Sequence, residues 1–357
     1  MEKYPLADGE EHQFIDGGEG KEIANKNNPS FSLVVEALRK GYKIENINLI
    51  SIGAGKYGSM TALRVAEYDL VDSVVMTDIV DGLPQGLALD MNQSRYVENF
   101  SSKIIGTNDY SDTSDSDVVV ITAGLPRKPG MTRMDLLEVN ANIVSDVTKN
   151  ILNHSKSPII IVVTNPLDQM TTLASQVSGL PKNKVIGQAG VLDSSRFAYF
   201  IAEKLSVDTS DVYALTLGSH GETMVPVPSL CTVKGEPLTD ILSDSDISDL
   251  VEKTSNGGAE IVGLLKTGSA YFAPASSAAT MVRSIINNSN EIFPVCAWLE
   301  GQYGINDVYL GVPAKLGKDG VTEIVEFDLL ENEKNALIEA SNSVKSKVEE
   351  LNNIKNQ

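Results

Sequence analysis

The sequence has few of the residue types that most often carry catalysis, metal binding or covalent cross-links. Among its 357 residues, two are cysteine, three are histidine and seven are arginine. Two cysteines cannot build a disulfide framework or a cysteine-rich zinc site, so we expect a reducing compartment and no metal centre. Any chemistry that needs histidine or arginine must therefore depend on a small number of positions.

Positive charge is scarce as well. Lysine and arginine total 29 against 48 aspartate and glutamate residues, which gives a formal net charge of −19 and an isoelectric point of about 4.6. A surface of this sign repels phosphate backbones and anionic lipids, so neither a nucleic acid nor a membrane is an expected partner. Solubility or adaptation to salt would each explain the acidic excess.

Long apolar runs are also absent. Runs such as Ile159–Val163 are far shorter than the ~20 residues that cross a bilayer. The N-terminus has no basic start followed by an apolar stretch, and it is too acidic and too poor in arginine for a mitochondrial transit peptide. These features predict a cytoplasmic protein.

The first 45 residues form an N-terminal extension. Residues 1–30 are polar, without a usable hydrophobic period, and predict a mobile tail. Apolar residues recur at helical spacing from Phe31 to Tyr42 and predict one short helix. An accessory structural role and a regulatory role are both open for this helix.

From residue 46 to 190, apolar strands alternate with helical patterns. Continuous Val and Ile runs indicate strands buried on both faces, as in a parallel sheet covered by helices. We therefore predict an α/β fold, in which a Rossmann-type doubly wound parallel sheet is followed by an α+β substrate or catalytic domain over 191–357. The predicted strands are 47–52, 73–78, 103–106, 117–123, 159–164, 213–216, 293–299 and 307–312. The predicted helices are 56–68, 86–96, 135–155, 194–204, 246–267, 276–286 and 331–352.

A glycine-rich motif follows the first of these strands and opens a helix: Gly53-Ala54-Gly55-Lys56-Tyr57-Gly58. Its glycines permit a tight turn, close approach of the backbone to a pyrophosphate, and close helix–strand packing. Asp78 ends the next strand, where its carboxylate would accept hydrogen bonds from ribose hydroxyls and repel a 2′-phosphate. NAD is therefore expected in preference to NADP, and a plain glycine-rich turn is the alternative. Ala123 and Gly124 follow a later strand and are small enough for the backbone to pass close to the same cofactor.

Two arginines lie in a loop that follows a predicted strand, Leu125-Pro126-Arg127-Lys128-Pro129-Gly130-Met131-Thr132-Arg133. Arginine offers a planar fork for a carboxylate, so Arg127 and Arg133 could hold a carboxylate and polarise a carbonyl as the loop closes. Asn165 follows another strand at the same sheet edge, where its amide can bond a substrate hydroxyl and a cofactor amide. Taken alone, the loop could be a solvated basic turn, and Asn165 a turn former before Pro166.

A histidine and an ion pair complete the candidate chemistry. Arg196 lies three residues after Asp193, so the two would share one face at a helix start. An N-cap aspartate with a local ion pair is the alternative. His220 lies in a glycine-rich turn and has the pKa class to take a proton while a secondary alcohol loses hydride to a nicotinamide. Asp193 is the candidate to fix the tautomer of His220 and to stabilise its imidazolium.

The order of these segments and their amino-acid sequences resemble the lactate/malate dehydrogenase family, most closely the lactate-dehydrogenase-like branch of malate dehydrogenases. The resemblance extends over about residues 46–350. The resemblance implies that His220 is the general acid/base, that Asp193 orients it, and that Arg196 pairs with the C1 carboxylate of the substrate. The motifs that carry it are GxGxxG with Asp78, LPRKPGMTR, VTNP, LDSSR and GSHGE.

Other positions take their roles from this resemblance. Arg133 would polarise the substrate carbonyl from a mobile loop, Asn165 would contact both substrate and cofactor, and Asn140 would contact the cofactor from the helix after the loop. Val163 and Thr164 precede Asn165 in the VTNP motif and would line the cofactor site. The resemblance says nothing about residues 1–45.

Arg127 determines the substrate within that family. Lactate-specific members typically carry glutamine at this position, whereas arginine matches the second carboxylate of malate and oxaloacetate, and a monocarboxylate would leave it unpaired. We therefore expect reversible NAD-dependent oxidation of (S)-malate. Ser269 resembles part of the wall of the substrate pocket. Related proteins are commonly dimers or tetramers, so a homodimer or homotetramer is expected.

Three alternatives remain open at this point. A lactate dehydrogenase, or another 2-oxoacid reductase on the same scaffold, would prefer pyruvate to oxaloacetate. A NAD- and metal-dependent glycoside hydrolase would need a clustered metal site, whereas Cys231 and Cys296 have no nearby histidine in the sequence. A non-catalytic NAD-binding module would not need the arginine, aspartate and histidine set. A short-chain dehydrogenase is disfavoured because the sequence has no Tyr-x-x-x-Lys.

Overall fold

The computed structural model describes residues 3–5, 11–13, 48–125 and 133–355. The predicted helix over 31–42 and the loop residue Arg127 lie outside them. The strands are β1 (Lys3–Pro5), β2 (Glu11–Gln13), β3 (Asn48–Ile52), β4 (Ser73–Thr77), β5 (Lys103–Thr107), β6 (Val118–Ile121), β7 (Ile159–Val162), β8 (Val185–Gly187), β9 (Val212–Tyr213), β10 (Thr216–Gly218), β11 (Met224–Pro226), β12 (Thr232–Val233), β13 (Glu236–Pro237), β14 (Glu291–Glu300), β15 (Asn306–Gly317) and β16 (Gly320–Ile324). The helices are α1 (Lys56–Glu67), α2 (Leu83–Glu98), α3 (Arg133–His154), α4 (Leu167–Ser178), α5 (Gly190–Leu205), α6 (Leu238–Ile241), α7 (Asp244–Leu265), α8 (Phe272–Ile286) and α9 (Glu331–Lys355).

Parallel strands build the first half of the main sheet, in the order β5-β4-β3-β6-β7-β8. Their side chains are buried on both faces, because Val118 and Val120 of β6 belong to one apolar cluster and Val119 and Ile121 to another. The predicted doubly wound α/β fold is confirmed. The strand order reverses between β3 and β6, and ligands of such sheets bind outside the carboxyl ends of the strands at this point.

The C-terminal half continues the same sheet with antiparallel strands. Cys296 of β14 pairs with Gly187 of β8, and the order then runs β14-β15-β10-β11 with β16 on β15. Gly218 of β10 faces Gly311 of β15, and a side chain on Gly311 would collide with the carbonyl oxygen of Gly218. Two glycines thus allow the β10–β11 hairpin to lie against the sheet, and this junction fixes the hairpin relative to the parallel strands.

The structure corrects the sequence prediction at several elements. The strand predicted over 213–216 is two strands, because β9 pairs with β12 in a separate three-stranded sheet while β10 joins the main sheet. Helix α4 is missing from the prediction, although Leu167, Met170 and Leu173 are buried and recur at helical spacing. Within the segment predicted as a tail, β1 and β2 form a short antiparallel pair.

Gly58 gives a direct test of how α1 packs on β3. A Cβ atom on Gly58 would overlap the carbonyl oxygen of Gly53 and lie 2.7 Å from Thr122 Oγ1. We expect Gly58→Ala to lower the free energy of unfolding by about 1–3 kcal/mol, because a packed site must shift to admit a methyl group. Gly86→Ala is the matched control, since it lies exposed in α2 with open space around it, and it should raise that free energy by about 0.5–1 kcal/mol. Thermal unfolding midpoints compare the variants, and a Gly58→Ala protein as stable as wild type would contradict this packing.

Candidate active site

The turn after β3 is held by the two strands that flank it. The Gly53 N–H donates to the Thr77 carbonyl oxygen at 2.8 Å, and Thr122 Oγ1 donates to the Gly53 carbonyl oxygen at 3.1 Å. Gly53 has φ +105°, and a Cβ atom there would lie 2.8 Å from Thr122 Oγ1. Both the backbone conformation and the available space therefore require glycine at this turn.

The N-terminus of α1 is open for an anionic group. Gly55 is the N-cap, no side chain caps the helix, and no atom lies within 4 Å of a Cβ built on Gly55. Amide groups at such a helix start favour phosphate. Asp78 lies beside this turn, where Oδ2 accepts from the Ala54 N–H at 2.7 Å and Oδ1 accepts from the Val80 N–H at 3.0 Å. Open backbone next to a fixed carboxylate fits a dinucleotide with free ribose hydroxyls.

Lys56 and Tyr57 attach the start of α1 to residues of the C-terminal half. The Tyr57 hydroxyl lies 2.7 Å from the Pro274 carbonyl oxygen and 3.3 Å from Gln188 Oε1, and Lys56 Nζ lies 5.6 Å from the centre of the Tyr271 ring. Gln188 is 3% exposed, and its Nε2 has no hydrogen-bond partner among the described residues. A buried donor without a partner is costly unless something else binds it. Gln188 is absent from the sequence prediction, where nothing distinguishes it from other polar residues before a helix.

A second set of residues lies where β6 and β7 end. Asn140 of α3 is 1% exposed, and its Oδ1 accepts from the Leu125 N–H at 2.8 Å while its Nδ2 donates to the Asn165 carbonyl oxygen at 2.7 Å. Thr164 Oγ1 donates to the Ala123 carbonyl oxygen at 2.6 Å. Asn140 and Thr164 thus hold the two strand ends together, and a cofactor contact by Asn140 stays a prediction.

The remaining members of this set lie around the same strand ends. Val163 continues β7 by donating from its N–H to the Ile121 carbonyl oxygen at 3.0 Å. Gly124 and Asn165 are exposed at the ends of the two strands. A Cβ atom on Gly124 would lie 2.5 Å from Thr164 Cγ2, so the close approach of the two strand ends needs glycine there.

The structure brings His220, Asp193 and Arg196 into one cluster. His220 Nδ1 lies 2.9 Å from Asp193 Oδ2, and Arg196 Nη1 lies 3.4 Å from Asp193 Oδ1. The Asp193 side chain is 2% exposed, while those of Arg196 and His220 are 14% and 18% exposed. With Nδ1 engaged by the carboxylate, the Nε2 atom of His220 is the one left to exchange a proton with a substrate.

Each member of the cluster is placed by its local sequence. Helix α5 begins at Gly190 after an N-cap at Ala189, so Asp193 lies within the first turn, and the suggested N-cap role for Asp193 is wrong. The start of a helix favours a negative charge. Arg196 lies one turn later, facing Gly257 and Gly258 of α7, where a Cβ atom on Gly258 would lie 3.5 Å from the guanidinium nitrogens.

His220 lies in the connection between β10 and β11. Ser219 Oγ and Thr223 Oγ1 are 2.6 Å apart and close this hairpin. Burial and the positive charge of Arg196 lower the pKa of His220, whereas the carboxylates of Asp193 and Asp168 raise it. The effect of the two carboxylates is larger, so the pKa of His220 lies above its usual value. The imidazolium form is therefore favoured relative to an isolated histidine.

Some predicted site residues are not placed in this cluster. Arg127 lies outside the described residues, and Arg133 is the first residue of α3, with only its backbone described. Ser269 lies exposed between α7 and α8. Within residues 48–125 and 133–355, no three His, Cys, Asp or Glu side chains are grouped to hold a metal ion. In the same part of the chain, no helix is both long and apolar enough to span a membrane.

Comparison with known proteins gives the same family over nearly all of residues 47–355. The lactate/malate dehydrogenase NAD binding domain matches residues 47–187, and the alpha/beta C-terminal domain of the same family matches residues 190–355. A malate dehydrogenase of Nostoc punctiforme is 52% identical over 298 residues, which cover 84% of this chain and 91% of that protein.

Solved structures agree with the sequence relatives. The malate dehydrogenase of Salinibacter ruber superposes with a TM-score of 0.83 at 45% identity, covering 87% of this chain and 99% of its own. A lactate dehydrogenase of Cryptosporidium parvum, complexed with lactic acid and NAD, superposes with a TM-score of 0.83 at 42% identity and the same coverage. The chain therefore belongs to the lactate/malate dehydrogenase family and carries its NAD-binding and C-terminal domains in that order.

Proposed function

We propose that the protein is a malate dehydrogenase that reversibly oxidises (S)-malate to oxaloacetate with NAD. The observation that carries this proposal is the buried cluster of His220, Asp193 and Arg196, which combines a proton acceptor, an orienting carboxylate and a carboxylate-binding fork. The curated relatives at about 50% identity are named malate dehydrogenases, which favours malate as the substrate.

His220 exchanges the proton in this reaction. As malate is oxidised, the hydroxyl proton passes to His220 Nε2 while the C2–H bond breaks. Asp193, 2.9 Å from Nδ1, keeps the proton on that nitrogen in the neutral ring and stabilises the imidazolium that forms. The bound cofactor NAD would supply the acceptor for the hydride that leaves C2. In the reverse direction the same Nε2 returns its proton to the developing alkoxide.

The arginines bind and polarise the substrate. Arg196 binds the C1 carboxylate, Arg127 binds the C4 carboxylate from the loop before α3, and Arg133 stabilises the negative charge that develops on the carbonyl oxygen. Asn165 orients the substrate hydroxyl next to the cofactor, and Ser269 contributes to the pocket wall. Bidentate contacts of this kind bind a small dianion locally, although the protein as a whole repels anions.

The residues for the cofactor come from the switch point of the sheet. The GxGxxG turn and the start of α1 hold the pyrophosphate, and Asp78 holds the adenine ribose. Gln188 offers a buried donor for an amide of the cofactor. The remaining contacts are assigned to Ala123, Gly124, Asn140, Val163, Thr164 and Asn165.

Initial rates of NADH formation test the proposed function. The purified full-length protein should reduce NAD on addition of (S)-malate, and it should leave NAD unchanged with (R)-malate. NADP should support a much lower rate because its 2′-phosphate would meet the Asp78 carboxylate. Turnover with neither cofactor would contradict the proposal, and equal use of NADP would contradict the role of Asp78 alone.

We also propose that the protein works as a homodimer or homotetramer. Apolar side chains are exposed on α2 and near the end of α7, including Tyr96 at 95%, Val97 at 77% and Leu264 at 75% exposed. Such surfaces are typical of subunit interfaces. Light scattering should give at least twice the 38.3 kDa of one chain. Val97→Asp, which places a charge on this surface, should shift the protein towards the monomer, and a monomeric wild type would contradict the proposal.

Two further proposals concern the domain boundaries and the location of the protein in the cell. We propose an extension over 1–45, an NAD-binding domain over 46–190 and a catalytic domain over 191–357, which the change of family model between 187 and 190 supports. We propose a cytoplasmic location. The cytoplasm is a reducing compartment, and the protein would need no disulfide there. Fractionation of cells would show the protein in the soluble cytoplasmic fraction, and recovery elsewhere would contradict it.

A further inference from the structure

We propose that Asp168 is a positioning residue for His220. It anchors the hairpin that carries the imidazole, and it supplies a second negative charge that keeps the protonated ring in an electrically balanced cluster. This inference rests on the proposed function of His220 as the acid/base, and nothing in the motifs of the sequence assigns a role to Asp168.

Asp168 joins three elements that are distant in sequence. It lies in the first turn of α4, directly after Asn165-Pro166-Leu167, and it is 3% exposed. Its Oδ2 accepts from the backbone N–H of His220 at 3.2 Å, and its Oδ1 accepts from the Cys296 thiol of β14 at 3.3 Å. The carboxylate therefore fixes the backbone of the hairpin relative to both the nucleotide-binding half and the catalytic half.

The charges around His220 require a second carboxylate. Asp193 is shared, because Oδ2 contacts His220 and Oδ1 contacts Arg196. When His220 is protonated, His220 and Arg196 carry two positive charges and Asp193 carries one negative charge. One positive charge is then left uncompensated in a buried site. Ionised Asp168 brings the sum to zero. Uncompensated buried charge is costly, so Asp168 favours retention of the proton by His220 until the substrate receives it.

The charged and titratable groups around His220 come from α5, α4 and β14. Burial lowers the pKa of His220, Asp193 and Asp168 raise it, and Arg196 lowers it. Burial raises the pKa of Asp168 above its usual value, and the positive charge on His220 and the thiol of Cys296 reduce this increase. Burial raises the pKa of the Cys296 thiol well above its usual value, so it remains a neutral donor. The charged forms of His220 and Asp168 thus stabilise each other.

Asp168→Asn separates charge from anchoring. The asparagine amide oxygen can still accept from the His220 N–H, so the hairpin keeps its backbone contact while the negative charge is lost. Histidine-selective NMR of the free protein measures the pKa of His220. The chain has only two other histidines, His12 and His154, and the spectrum of His220→Asn identifies the signal of His220. We expect the pKa of His220 to fall by about one unit or more when this charge is removed.

The kinetic readout is the pH profile of kcat/KM. Removal of the Asp168 charge should move the ionisation of His220 in this profile to lower pH, both for oxaloacetate reduction and for malate oxidation. The two directions should change together at any one pH, because the equilibrium between malate and oxaloacetate does not depend on the enzyme. A defect in folding or packing would lower both rates without moving the pH profile.

Two further variants complete the experiment. Asp69→Asn is the matched control, because Asp69 is another buried carboxylate that accepts from the Ser101 and Ser102 N–H groups, at the amino-terminal edge of the sheet. It should leave the pKa of His220 unchanged. Asp168→Ala removes both charge and anchor and should lower kcat in both directions. An unchanged pKa of His220 in Asp168→Asn, or a loss of rate with no shift of the pH profile, would overturn the inference. The NMR titration needs no substrate, so it remains decisive even if the proposed function fails.

Discussion

His220→Asn should lower kcat for (S)-malate oxidation by about a thousandfold while NAD binds as in the wild type. General acid–base catalysis by a positioned side chain typically contributes about 10²–10⁴-fold. Asparagine keeps a polar side chain that can bond Asp193, but it cannot take the hydroxyl proton at the position of Nε2. The proposed cofactor site at the GxGxxG turn and Asp78 does not include the imidazole, so NAD affinity should be unaffected.

His154→Asn is the matched control for this prediction. His154 ends α3, where it lies beside the Asp109 carboxylate and outside the His220 cluster. Its replacement should leave kcat unchanged. Isothermal titration calorimetry measures NAD affinity for both variants, and initial rates at saturating substrate give kcat. A His220→Asn enzyme within tenfold of the wild-type rate would show that another group moves the proton.

Arg127→Gln should reverse the substrate preference. We expect kcat/KM for oxaloacetate to fall about a hundredfold or more, because loss of one partner of a buried charge pair costs about 2–5 kcal/mol. The same change should raise kcat/KM for pyruvate, since a methyl group no longer faces an unpaired guanidinium. The preference for oxaloacetate over pyruvate then depends on whether residue 127 binds the C4 carboxylate.

A neighbouring cation on the same loop provides the control. Lys128→Gln removes one positive charge from the loop without removing the planar fork of Arg127. It should change kcat/KM for either substrate by no more than a few-fold, because the proposed contact with the C4 carboxylate belongs to Arg127 and not to Lys128. If Lys128→Gln and Arg127→Gln reduced oxaloacetate turnover equally, general electrostatic attraction by the loop, rather than a specific contact, would account for the preference.

The sequence predicts the nucleotide half well, because its signals are local. The GxGxxG turn requires glycine for reasons of backbone and space that act within a few residues, as Gly53 and Gly58 show. Strands buried on both faces produce continuous Val and Ile runs, as in β6 and β7. The positions of Asp193 and His220 at the ends of predicted elements also follow from local pattern.

Contacts between distant segments are harder to predict. Asp168 and Cys296 are 128 residues apart, and neither residue type nor spacing shows that α4 and β14 meet. The same holds for the bond between Asp168 and the His220 backbone, and for the unpartnered amide of Gln188. The missed helix α4 is different, since its apolar period is visible in the sequence.

The most direct test of the whole account compares oxaloacetate with pyruvate for the wild-type protein, with NADH held at saturation. We expect a kcat/KM for oxaloacetate at least about a hundredfold above that for pyruvate, since only the dicarboxylate would pair with both Arg196 and Arg127. A kcat/KM for pyruvate equal to or above that for oxaloacetate would contradict the assignment of malate as the substrate.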